Sequence, residues 1–109
     1  MRIALDKFIE NINKCHILGM GEATHGGNKI NKFILSTYKK MIKFGFSSFI
    51  LEADYFLCRD IDDCIKEKNN YKIKNLAKTL GWIWNTRNMY KLLKYMKTYN
   101  KKHNNHLSI

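Results

Sequence analysis

The chain has 109 residues, 45% of them hydrophobic, and a net charge of +11, which allows one domain at most and excludes a disordered segment. The charge invites a nucleic-acid partner, but the lysines are spread along the chain and Arg2, Arg59 and Arg87 are its only arginines, so no nucleic acid is expected. No apolar run reaches the roughly 18 residues of a membrane span, and Met1-Arg-Ile-Ala-Leu-Asp6 lacks the pattern of a signal peptide, so no membrane partner is expected either.

In chain order, Leu5, Phe8, Ile9 and Ile12 fall at helical spacing and predict a short amphipathic helix over residues 2–13. Cys15 to Gly21 is a compact apolar run broken by glycines, which reads as a buried strand with His16 as a satisfied core residue. Residues 22–28 are small, polar and glycine-rich, as a loop at the end of that strand would be. From Asn28 the pattern turns helical, with Ile30, Phe33, Ile34, Thr37, Tyr38, Met41 and Ile42 on one stripe and Gly45 placed to close it in a left-handed cap. Phe46 to Leu51 follows as a second apolar run ending at Glu52-Ala-Asp54.

Leu57, Ile61, Cys64 and Ile65 predict a further helix, and Lys66–Lys72 a charged turn. Ile73, Leu76, Ala77 and Leu80 predict a short helix that stops near Gly81. Trp82 and Trp84 lie in a connection, as core aromatics or as pocket walls. Asn85 or Thr86 caps a last helix whose inward positions are Met89, Leu92, Leu93, Met96 and Tyr99. Lys101 onward reads as a polar tail with His103 and His106 solvated. Cys15, Cys58 and Cys64 form an odd set without a CxxC pair, which suits reduced thiols in a cytoplasmic protein.

Strand, helix and strand within about 40 residues predict a right-handed βαβ unit. The expected fold class is therefore α/β, the βαβ start of a parallel sheet with flanking helices. Phe49-Ile50-Leu51 is apolar on consecutive positions and wants cover on both faces. Two strands cannot supply it. The chain is accordingly expected to self-associate or to be the front piece of something longer, truncated before a missing carboxyl-terminal part.

Adjacent parallel strands would bring Glu22, His25 and Glu52 to the carboxyl edge of the sheet, where open α/β sheets bind ligands. A neutral imidazole there can take a proton from water, and a carboxylate can orient it and stabilise its cation. Gly26 and Gly27 would let the backbone come close to a substrate. Other readings stand beside this one. Glu52 and Asp54 can simply cap the following helix. Glu22, His25 and Glu52 can also hold a divalent metal, although the Glu-x-x-His here precedes the helix instead of lying on it, and no metal is assigned. Thr24 stands where a dinucleotide loop needs its third glycine, and no Ser or Thr follows Asn28-Lys29, so no cofactor is expected. Cys58 and Cys64 read as packing residues rather than nucleophiles.

Gly21-Glu-Ala-Thr-His-Gly26 after an apolar run resembles the Gly-Glu-x-Ser/Thr-His-Gly motif of the erythromycin esterase family. The similarity continues through Phe33, Gly45-Phe46 and Phe49-Ile-Leu-Glu-Ala-Asp54. It then extends to Trp84-Asn-Thr86, Leu92-Leu93 and Tyr99-Asn100, and so covers nearly the whole chain. The resemblance implies an α/β hydrolase, unrelated to the serine-nucleophile kind, that opens macrolide lactone esters with an activated water. It puts the general base on His25 and the motif glutamates on Glu22 and Glu52. It makes residues 1–109 the amino-terminal part of such a domain and a small-molecule ester its substrate. The sequence departs from the family's pattern in Ile34, where an arginine is frequent, in Asn88, where a glutamate is frequent, and in Gly27, where a hydroxyl residue is common. A second site histidine of the family falls beyond the span that this chain resembles. The rival expectations are a non-catalytic remnant or interaction module, and a small metal-binding module.

Overall fold

The computed structural model describes residues 2–12, 14–22, 27–81 and 83–109. The predictions that fall on Thr24, His25, Gly26, Trp82 and the Leu5 side chain lie outside the described residues. The chain divides into two compact units, Met1–Phe46 and Ser47–Ile109.

The first unit pairs two helices, α1 (Arg2–Ile12) and α2 (Asn28–Ile42). Ile9 is the buried anchor of α1, and an ion pair between Asp6 and Lys40 ties the two helices at their polar edge. α2 buries Thr37, Tyr38, Met41 and Ile42 from its predicted stripe. Gly45 closes it as expected, at φ 93°. The Phe46 N–H donates to the Met41 carbonyl at 3.3 Å and the Gly45 N–H to that of Ile42 at 3.1 Å. This is the paired hydrogen-bond pattern of a left-handed helix stop.

The second unit packs α3 (Tyr55–Ile65), α4 (Ile73–Thr79) and α5 (Arg87–Lys102) against one another in all three pairings. Its core is Ile61, Cys64 and Ile65 from α3, Ile73 and Ala77 from α4, and Met89, Leu92, Leu93 and Met96 from α5. Each fully buried Ile, Leu or Met contributes roughly 1.5–3 kcal/mol to folding. Both long helices carry side-chain caps: Asp54 Oδ1 accepts from the Leu57 N–H at 2.9 Å, and Thr86 Oγ1 from the Met89 N–H at 3.1 Å. Glu67 stops α3 in the way Gly45 stops α2, at φ 57°, with the Lys68 N–H on the Asp63 carbonyl at 2.8 Å.

The expected α/β sheet is absent among the described residues. Among the described residues every named element is a helix, and extended pairing is limited to one isolated parallel bridge between Ser48 and Ser108. Residues 14–22 are turn and irregular backbone. Cys15, His16 and Ile17 are exposed, Ile17 by 86%, so His16 is no core residue. In the second run Phe49 is buried while Ile50 is 90% exposed. Strand propensity reports fit to a paired and half-buried surface. A short apolar run becomes a strand only where a ladder receives it, and Leu107–Ile109 gives the second run a single bridge.

The expected polar tail is likewise corrected. Beyond α5 the chain reverses through Asn104 and Asn105, both at positive φ, and returns to the unit. Leu107 is 0% exposed. The Ser108 N–H donates to the Ser47 carbonyl at 3.0 Å, and the Phe49 N–H to that of Ser108 at 2.9 Å. Asp62 receives both the Ile109 N–H, at 3.0 Å, and the Lys66 ammonium, at 2.7 Å. The Lys66 ammonium also donates to the Ser108 hydroxyl at 2.8 Å. The two ends of the second unit are thereby fastened together.

Candidate functional site

Glu52 lies in the bend between the extended run and α3. The Ala53 N–H folds back on the Leu51 carbonyl at 3.0 Å. Two residues on, Asp54 starts the helix as its cap, which leaves capping to Asp54 and the exposed Glu52 side chain uncommitted to it. The Glu52 main chain is fixed from a distance: its carbonyl accepts the Trp84 indole N–H at 2.9 Å across 32 positions of sequence.

Trp84 is itself held in a tight turn. The Trp84 and Asn85 N–H groups both donate to the Gly81 carbonyl, at 3.2 and 2.8 Å. Gly81 has φ 81°, a conformation that favours glycine. The starts of α3 and α5 are thus joined by one hydrogen bond, with Glu52 on one side and Thr86 on the other. Sequence reasoning gave Trp84 only a packing or pocket-lining role. Its spacing from Glu52 carries no periodic signal, and only the folded unit brings the indole to that carbonyl. Asn88 is buried in the first turn of α5.

The remaining site residues belong to the first unit. Glu22 is half-buried at the end of the irregular segment 14–22. His25 and Gly26 lie outside the described residues, and Gly27 directly precedes α2, whose start has no side-chain cap. Glu22 and Glu52 therefore fall in different compact units.

The two thiols of α3 are not activated. Burial pushes Cys58 above its ordinary value of 9.0, and the Asp54 carboxylate adds in the same direction. Burial also raises Cys64, with Lys97 opposing it. Both are protonated near pH 7, as packing residues are. Among the described residues no three His, Cys, Asp or Glu side chains converge as metal ligands, and no helix is long and apolar enough to cross a membrane.

The sequence profile of erythromycin esterase matches residues 42–109, more than half of the chain. The chain belongs to the erythromycin esterase family. The matched span contains Glu52, Asp54, Trp84, Thr86 and Asn100, and it begins after the Gly21–Gly26 motif. No curated protein and no solved structure matches this erythromycin-esterase-family chain.

Proposed function

We propose that this chain takes part in the hydrolysis of a carboxylic ester, a macrolide lactone in the first instance, by a water that His25 activates. The imidazole removes a proton from the water as its oxygen attacks the ester carbonyl. The tetrahedral intermediate then collapses with release of the alkoxide, which takes the proton back from the imidazolium. Glu22, three residues before His25 in sequence, orients the imidazole, and Glu52 is the second candidate carboxylate for balancing charge. Family membership over residues 42–109 supports the ester-hydrolysing class. The observation that carries the reading is the exposed Glu52 carboxylate on a bend anchored by the Trp84 indole, an arrangement that spends a specific hydrogen bond on presenting one side chain. The test is ester turnover by the His25→Ala and Glu52→Gln variants. Turnover should fall by orders of magnitude, because members of a concerted site fail together, and added imidazole should restore part of it only in His25→Ala. Unchanged ester hydrolysis in His25→Ala would sink the assignment.

A second reading, an interaction module that self-associates, is favoured by Ile50, Tyr55 and Phe56, large apolar side chains left exposed within seven residues of sequence around Glu52. It predicts concentration-dependent dimers in sedimentation that an Ile50→Lys substitution abolishes. A chain that stays monomeric at every concentration counts against it.

A further inference from the structure

Away from Glu52, the second unit has a cleft of about 620 Å³ between the turn that follows α3 and one face of α5. That volume lies within the range of roughly 300–1,000 Å³ used for small-molecule sites. Its lining includes Tyr71, Lys72 and Lys74 from the turn after α3 and the start of α4, and Tyr90, Lys94 and Lys97 from α5. Tyr90, Lys94 and Lys97 sit at helical spacing on a single face of α5.

Among the described residues no carboxylate lies within ion-pair distance of these four lysines. Glu67 also lines the cleft but is paired with Lys101 at 3.1 Å. The walls are held in place from beneath. The Asn69 amide donates to the Asp60 carbonyl at 2.9 Å while its oxygen receives the Tyr71 N–H at 3.2 Å. The Cys64 thiol donates to the Tyr71 carbonyl at 3.0 Å, and the Lys97 ammonium sits 4.0 Å from the same sulfur. Four like charges facing one concave surface repel one another, and a concave wall focuses their potential on whatever enters. An anion of two charges relieves that repulsion, and a planar ring attached to it finds the tyrosine faces.

We propose that this cleft binds a phosphate monoester carrying an aromatic ring, as a free small molecule. The proposal is independent of Glu22, His25 and Glu52. The experiment is a titration of the full chain with phenyl phosphate and with inorganic pyrophosphate, followed by backbone amide shifts. Saturable binding at one site is expected, with the largest shifts at Tyr71, Lys72, Tyr90 and Lys94. A Lys94→Ala/Lys97→Ala double variant should bind about tenfold more weakly or worse, while Lys29→Ala/Lys32→Ala, with the same charge removed from exposed positions of α2, should bind as the parent does. Equal weakening in both double variants, or shifts spread over all lysines without saturation, would overturn the proposal in favour of a diffuse basic surface. Retention by an oligonucleotide or by phosphatidic-acid vesicles that phenyl phosphate fails to displace would overturn it as well.

Discussion

The Asn100 carboxamide pairs with Leu107 in both directions, as one peptide group pairs with another. Its oxygen accepts the Leu107 N–H at 2.7 Å, and its nitrogen donates to the Leu107 carbonyl at 2.9 Å. The same nitrogen reaches the Ile65 carbonyl at the end of α3, at 3.3 Å. Asn100 is 2% exposed, and in that setting each lost partner leaves a buried polar group unsatisfied. The end of α3, the end of α5 and the returning segment 107–109 thus share one side chain.

Replacing Asn100 with Ala should therefore destabilise the protein by about 2–4 kcal/mol, since it orphans main-chain groups as well as removing bonds. Asn100→Asp should be at least as harmful, because its carboxylate retains the acceptor and faces two carbonyls without a donor. Leu107→Ala, at a fully buried position, should cost a comparable 2–5 kcal/mol. Urea unfolding measures all three, and an unshifted midpoint in Asn100→Ala would show that the returning segment does not contribute.

Thr37 predicts the opposite sign. Its hydroxyl is buried on α2 without a hydrogen-bond partner among the described residues. Thr37→Val keeps the shape and removes the desolvated oxygen, so it should stabilise by about 1 kcal/mol. A higher melting temperature in calorimetry is the expected outcome.

The helices were legible in the sequence for a plain reason. The stripes of α2, α3 and α5 repeat at helical spacing, and the caps Asp54, Thr86 and Gly45 act over a few residues, so local information suffices. Residues 15–21 and 46–51 are different. Their composition suits strands, but a strand exists only through distant partners, and the described residues provide one bridge at Ser48. Asn100 was missed: the sequence reading placed the last inward position at Tyr99, whereas the buried register of Met89, Leu92, Leu93 and Met96 continues to Asn100. Glu52 was legible as a candidate from its place after an apolar run. Its anchor on Trp84 was not, because that contact spans the unit.

The raised thiols give a pH dependence. With Cys58 and Cys64 above 9.0 in the folded chain, and Tyr95 raised by burial and by Tyr99 from 10.0, the native state binds more protons than the unfolded state in alkaline solution. Stability should then be intact below pH 9 and fall as pH rises through and beyond it. Melting temperatures across that range check this, and Cys15, the exposed thiol, should react with a disulfide reagent well before the other two.

Trp84→Phe keeps an aromatic ring and removes the indole donor to Glu52. A stability loss of about 1 kcal/mol is expected for one neutral hydrogen bond. The larger consequence should be on ester turnover, through a Glu52 no longer held in place. A turnover loss no greater than that of a distant substitution of equal stability cost would separate Trp84 from the site.

The most direct measurement is the fate of a macrolide lactone incubated with the chain in heavy-oxygen water, wild type beside His25→Ala. The account predicts a ring-opened acid that carries one heavy oxygen in its new carboxylate with the wild type, and unopened lactone with the variant. Equal opening by the two proteins, or none by the wild type, would contradict it.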